Sequence, residues 1–230
     1  LQGRGSLSVY LVDRFVKDEK MRVVVIQAST RTEINQLLFN TVCEAVGGPH
    51  EVVNLGVFPE EIENYSYVEV AVMISLLIET GAADFIVTGC SSGQGMMMAC
   101  NSLPGLRCGF VQTPQDAYLF GRINNGNVVS LPLGLNFGWS GELNLRYTLE
   151  KLFDGEFNTG YPVQDAERKK KEATELVHLH QLTTRSFLEI LPNFDEHLLT
   201  KILRRKTFVD YIYQNGTNKL LLEKLMAYKV

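Results

Sequence analysis

The chain reads as an α/β protein: a doubly wound, five-stranded parallel sheet followed by a C-terminal helical appendage. Three observations carry this reading. Between residues 22 and about 153, short apolar runs alternate with helix-length amphipathic stretches, the pattern of a parallel sheet covered on both faces. Glycine or proline marks most of the passages between them. After Tyr161-Pro162 the texture becomes charged and helix-forming, without further strand-like runs.

Taken in order, RVVVIQA (22–28) is a buried strand and TEINQLLFNTVCEAV (32–46) a helix ended by Gly47-Gly48-Pro49. HEVVNLG (50–56) is a second strand, and YVEVAVMISLLIETG (67–81) a helix closing on Gly81. DFIVTGC (84–90) is the third strand, followed by a short helix, GMMMACNSLPG (95–105), stopped by Pro104-Gly105. LRCGFVQ (106–112) and NVVSLP (127–132) are strands four and five. PQDAYLFGRIN (114–124) lies between them and SGELNLRYTLEKLFDG (140–155) follows, both helical. The expected strand order is 2-1-3-4-5, a Rossmann-like arrangement whose ligands sit beyond the C-terminal strand ends. In the tail, EHLLTKILRRKTFVDYIYQ (196–214) and NKLLLEKLMAYKV (218–230) have helical apolar spacing. The expected organisation is an N-terminal extension (1–20, its LQGRGS read partly as a cloning remnant), an α/β domain (21–162) and the appendage (163–230), packed on that domain or on a second subunit.

The 230 residues are 45% hydrophobic, enough to fill a core, and 21% charged, ordinary for a soluble globular protein. No apolar run approaches the roughly 20 residues of a membrane helix, and the N-terminus lacks the design of a secretory signal. The cysteines Cys43, Cys90, Cys100 and Cys108 form no C-x-x-C pair, which fits reduced thiols in a cytoplasmic protein. Residues 163–230 carry 12 Lys/Arg against 9 Asp/Glu, leaving 10 against 17 for the remainder. A body of charge −7 argues against nucleic acid as its main partner. The single basic cluster, ERKKKE (167–172), reads as a solvated helix face.

The most chemically suggestive stretch is GCSSGQG (89–95), between the third strand and its helix. Gly89-Cys90-Ser91-Ser92-Gly93 satisfies G-x-S-x-G, which would make Ser91 a hydrolase nucleophile. Against that, only two strands precede it, and its histidine would have to be His178, His180 or His197, all in the appendage. A second reading is a purely structural glycine turn with Cys90 as a small buried apolar residue. A third is an oxyanion cradle with a base. Backbone N–H groups before a helix, with the positive end of its dipole, stabilise negative charge and favour the thiolate of a cysteine placed there. That combination suits proton abstraction α to a carbonyl. His50, after Gly48-Pro49, reads as a surface turn residue.

Cys90-Ser91-Ser92-Gly93-Gln94-Gly95, then Ala99-Cys100-Asn101, then Pro104-Gly105-Leu106-Arg107, resembles the ribose-5-phosphate isomerase type B / galactose-6-phosphate isomerase family. That family's motif runs C-G-T-G-x-G, A-A-N-K, G-I-R. The likeness continues ungapped to INNGNVV (123–129), against H-N-D-x-N-V-L, and covers about residues 22–160. By resemblance, Cys90 matches the proton-shuttling cysteine and Ser92 the threonine that assists transfer between substrate oxygens. The backbone of Ser91, Gly93, Gln94 and Gly95 matches the enediolate hole, and Asn124 a sugar-hydroxyl binder. Asn101 and Asn127 match family positions as well, either as ligands or as loop ties. The resemblance implies a cofactor-free and metal-free aldose–ketose isomerase acting on a sugar phosphate. It also implies a homodimer, or a dimer of dimers, with the site between subunits.

The departures matter as much. Ile123 stands where the family has its ring-opening histidine, and an aliphatic group cannot move a proton. The Asp-His pair after the first strand is replaced by QASTR, so Ser29, Thr30 or Arg31 faces the site. The phosphate-binding arginines have no clear counterpart; Arg168 or its neighbours, Arg31, Arg122 or a basic residue from a partner subunit are the candidates. These losses leave room for a different sugar phosphate, an open-chain one or a sugar acid. The alternative is a non-catalytic, sugar-phosphate-binding relative on the same fold.

Overall fold

Three valines in a row open the sheet. The computed structural model describes residues 20–228, so all but Lys20 of the expected N-terminal extension lies outside the described residues. Strands β1 (Arg22–Val25), β2 (Glu51–Asn54), β3 (Phe85–Cys90), β4 (Cys108–Phe110) and β5 (Val128–Pro132) form one all-parallel sheet. The helices between them are α1 (Asn35–Val46), α2 (Tyr67–Glu79), α3 (Gln94–Asn101), α4 (Pro114–Ile123) and α5 (Gly141–Leu152). The first expected helix begins late: residues Ser29–Ile34 form a 3-10 segment broken by Arg31, whose φ of −138° is non-helical.

The strand order is β2-β1-β3-β5-β4, which corrects the expected 2-1-3-4-5 at one edge. The reason is burial. β5 is buried from Val128 through Leu131 and needs ladders on both sides, which β3 and β4 supply. β4 is three residues long with Gly109 and Phe110 partly exposed, and a short strand suits an edge.

Two apolar layers sandwich the sheet. On one face α1, α4 and α5 cover Val23, Val25, Phe85, Val87 and Val129. On the other, α2 lies over Val24, Ile26 and Ile86. Every residue of α2 from Val70 to Ile78 is buried, and a helix apolar all round must be covered on two sides. Its second cover is the tail. After α6 (Ala166–Thr183), which lies against α4, the helices α7 (Phe187–Ile190), α8 (Glu196–Leu203), α9 (Lys206–Asn215) and α10 (Lys219–Met226) follow. From these, Phe187, Leu199, Ile202, Phe208, Ile212 and Leu225 join the α2 cluster, each buried aliphatic or aromatic side chain contributing about 1.5–3 kcal/mol. The 196–214 stretch is two helices, because Arg205 turns inward at the break and is 4% exposed. Among the described residues no helix is long and apolar enough to cross a membrane.

Glu79, at the end of α2, is half-buried where the tail packs. Its Oε2 accepts from Phe187 N at 3.0 Å, and burial raises its pKa, which that hydrogen bond only partly opposes. A carboxyl with a raised folded pKa favours the fold below its unfolded pKa and loses that contribution as pH rises through the folded value. Glu79→Gln, a mimic of the protonated acid, is expected to raise the melting temperature at pH 8 and leave it unchanged at pH 4. A lower melting temperature for the variant at pH 8 would contradict this.

Candidate active site

The C-terminal ends of β1, β3 and β5 meet at one point, and the Cys90 turn sits on it. Cys90 is the last residue of β3 and is 9% exposed. Its side chain falls on the α2 face, in the cluster that holds Ile26, Ala28, Tyr65 and Met96, as the two-residue alternation from Ile86 requires. The turn is anchored from β5: Leu133 N donates to Cys90 O at 2.9 Å and Gly134 N to Ser91 O at 2.9 Å. Gly93 caps α3 with φ 75°, and its carbonyl accepts from Ser130 Oγ at 2.7 Å and Met97 N at 3.1 Å.

Those anchors use carbonyls and leave the amides. Among the described residues, none of the backbone N–H groups of Ser91 through Met96 has an acceptor. Orphan donors before a helix are the ingredients of an anion cradle. Gly93 is required here. A Cβ would stand 2.7 Å from Phe110 Cε2 and 3.0 Å from the Leu131 carbonyl, on left-handed backbone. Gly93→Ala is expected to cost about 1–2 kcal/mol for the backbone alone, more with the clash, measured by urea denaturation. Stability equal to the parent chain would show that the turn is not held as described.

Arg31 reaches this turn from the 3-10 segment: its Nε donates to Ser91 Oγ at 3.1 Å, and Nη1 pairs with Glu33 at 2.7 Å. Ser29 is fastened to the loop before α2, its N donating to Tyr65 O at 3.0 Å and its Oγ accepting from Tyr65 N at 2.6 Å. The ring of Tyr67 lies over Gly95, about 3.4 Å from where a Cβ would be. Ser92 and Gln94 are exposed on the same turn. The structure thus brings together Cys90, Ser91, Ser92, Gly93, Gln94, Gly95, Ser29 and Arg31.

Tyr65 and Tyr67 carry no motif that marks them in the sequence; the capping box Ser66-x-x-Glu69 is the local signal. The loop bearing them is held from the tail. Arg205 makes two hydrogen bonds to Glu61, and Lys201 bonds Asn64 O and Glu69. Both cations also sit 5.3 Å from the centre of the Tyr65 ring.

Other expected residues stand elsewhere. Asn124 precedes the N-terminal end of β5, whereas Cys90 pairs with Pro132 at its C-terminal end, so one chain holds them at opposite ends of the sheet. Arg168 is exposed on α6 and paired with Asp165 and Glu172. Arg122 is buried and committed to the carbonyls of Asp154 and Leu152, between the rings of Tyr118 and Phe157, so it cannot serve as a ligand. Asn101 bridges both backbone groups of Cys108, and Asn127 joins Arg107 N to Gly105 O; both are loop ties.

Residues 23–171 match the model of a family described as Ribose/Galactose Isomerase. Among solved structures, a 4-deoxy-L-threo-5-hexosulose-uronate ketol-isomerase complexed with a tartrate is 36% identical, with a TM-score of 0.85 over 90% of this chain and 99% of that one. A ribose-5-phosphate isomerase from Vibrio parahaemolyticus is 32% identical, with a TM-score of 0.85 over 91% and 100%. At that coverage the likeness extends over the C-terminal helices. A type B ribose 5-phosphate isomerase from Trypanosoma brucei shares the fold at 24% identity and a TM-score of 0.54, over 67% of this chain and 99% of that one. A search of curated proteins gives no match. A family model matched over more than half the chain, with two relatives above 30% identity along nearly their whole length, makes the protein a member of the ribose/galactose isomerase family.

Proposed function

We propose that the protein interconverts an aldose and a ketose through an enediolate, with Cys90 as the base and an anionic, open-chain sugar as substrate. The observation that carries this is the row of acceptor-free amides from Ser91 to Met96 beside the Cys90 strand end. In this reading the Cys90 thiolate removes the proton from the carbon next to the carbonyl, and the electron pair moves onto the carbonyl oxygen. The amides hold that oxyanion. Ser92 relays the hydroxyl proton between the two substrate oxygens, and the Cys90 thiol returns its proton to the neighbouring carbon.

Arg31, tied to Ser91 and only partly exposed, supports an acidic substrate. Ile123 offers no proton-transfer group, which supports a sugar that is already open. Sugar phosphates and sugar acids both meet that description, and the two most similar relatives described above are named for one of each. The reading includes a homodimer or dimer of dimers in which Asn124, and Arg168 if it serves, reach the Cys90 turn of the other copy.

The test is an isomerisation assay on ribose 5-phosphate, galactose 6-phosphate and 4-deoxy-L-threo-5-hexosulose uronate, with thermal shift alongside. Turnover of any of these is the expected result. Ligand-induced stabilisation without turnover would favour a non-catalytic, sugar-binding relative, for which Ile123 is the supporting feature.

A further inference from the structure

Along the free edge of β4, between α3, α4 and α6, lies a cavity of about 510 Å³ whose lining contains neither Cys90 nor Ser92. Leu119, Phe120 and Leu176 give it apolar walls, and Arg107, Asn124 and His180 are among its polar lining. Arg107 Nε donates to Asn125 O at 3.0 Å, but among the described residues no carboxylate pairs with this guanidinium. Burial lowers its pKa. His180 belongs to the appended helix α6 and its Nε2 is buried without a partner. Its pKa is lowered by burial and then by the charge of Arg107. The one acid on the wall, Asp116, is occupied in capping α4, accepting from Thr113 N at 3.0 Å and Gln112 N at 3.4 Å.

A desolvated cation without a counter-ion is costly unless an anion completes it. An unpartnered imidazole nitrogen beside it is the matching second contact. We propose that this cavity binds a small organic anion, with its carboxylate or phosphate held by Arg107 and His180, and its uncharged body against Leu119, Phe120 and Leu176. Guanidinium geometry suits either oxyanion as a bidentate partner. Arg107 and His180 have no part in the proton transfer assigned to Cys90 and Ser92, and the proposal stands whether or not Cys90 is the base.

The experiment is an NMR titration of the full chain with inorganic phosphate and, separately, with succinate, following the imidazole resonances. His180→Gln assigns the His180 signal among the four histidines. The expected result is a saturable shift of His180 by at least one of the anions, the tighter binder telling phosphate from carboxylate. Arg107→Lys should weaken that binding by about tenfold or more, while Cys90→Ala leaves it unchanged. If Arg107→Lys does not fold, calorimetry on His180→Gln gives the second reading, with weaker binding expected. Three outcomes overturn the proposal: no shift of His180 with either anion, a drift common to all four histidines (an adventitious ion only), or affinity unchanged in both variants.

Discussion

Cys90→Ala is expected to lower kcat/KM by about 10²–10⁴-fold, the span of positioned acid–base groups, with KM little changed. In the proposed mechanism the loss should appear in kcat, because the thiolate would act on the transition state, whereas the Ser91–Met96 amides and Arg31, proposed to hold the substrate, remain. The fold should persist: Cys90 contributes one small side chain to a cluster that runs from Val24 to Leu225. Ser92→Ala should have the smaller effect, since an exposed hydroxyl that relays a proton can be replaced by water. Turnover by Cys90→Ala within a few-fold of the parent chain would remove the thiol from the mechanism.

The second large effect is on stability. Glu61→Ala is expected to cost about 3 kcal/mol, the low end for breaking a buried ion pair, or roughly 6–12 °C in melting temperature for a chain of this size. Arg205 makes two bonds to Glu61, Nε–Oε2 at 2.8 Å and Nη2–Oε1 at 2.5 Å. The arginine side chain is 3% exposed and the glutamate 20%, so removing the glutamate strands a charge inside. The double variant Glu61→Leu/Arg205→Met should recover most of the loss, because replacing both partners removes the desolvation cost as well. The pair fastens the tail to the loop that carries Tyr65 and, through it, Ser29. A loss below 1 kcal/mol in Glu61→Ala, by urea denaturation, would mean that this clamp does not hold the wall of the site.

The layered architecture was legible because each strand of the α/β region is a short apolar run and each helix has its own stop. Which of two short strands takes the edge was not: LRCGFVQ and NVVSLP look alike locally, and only burial from both sides separates them. YVEVAVMISLLIE read as one more helix of the α/β region, and nothing local said that the tail covers its second side. The Cys90 turn was legible because its residues are contiguous. Arg205 and Glu61 were not, being 144 residues apart and each set among other charges. Charge in a sequence also hides desolvation, so Arg122 passed for a free ligand when backbone carbonyls hold it, and His180 gave no sign of facing Arg107.

In the proposed mechanism the proton next to the sugar carbonyl passes through Cys90 Sγ. Deuterium wash-in tests it most directly: substrate is incubated with the protein in deuterium oxide and that carbon is read by NMR. Solvent deuterium is expected at the carbon with the parent chain and none above background with Cys90→Ala, although the variant still binds the sugar by thermal shift. Wash-in by Cys90→Ala at the parent rate would contradict it.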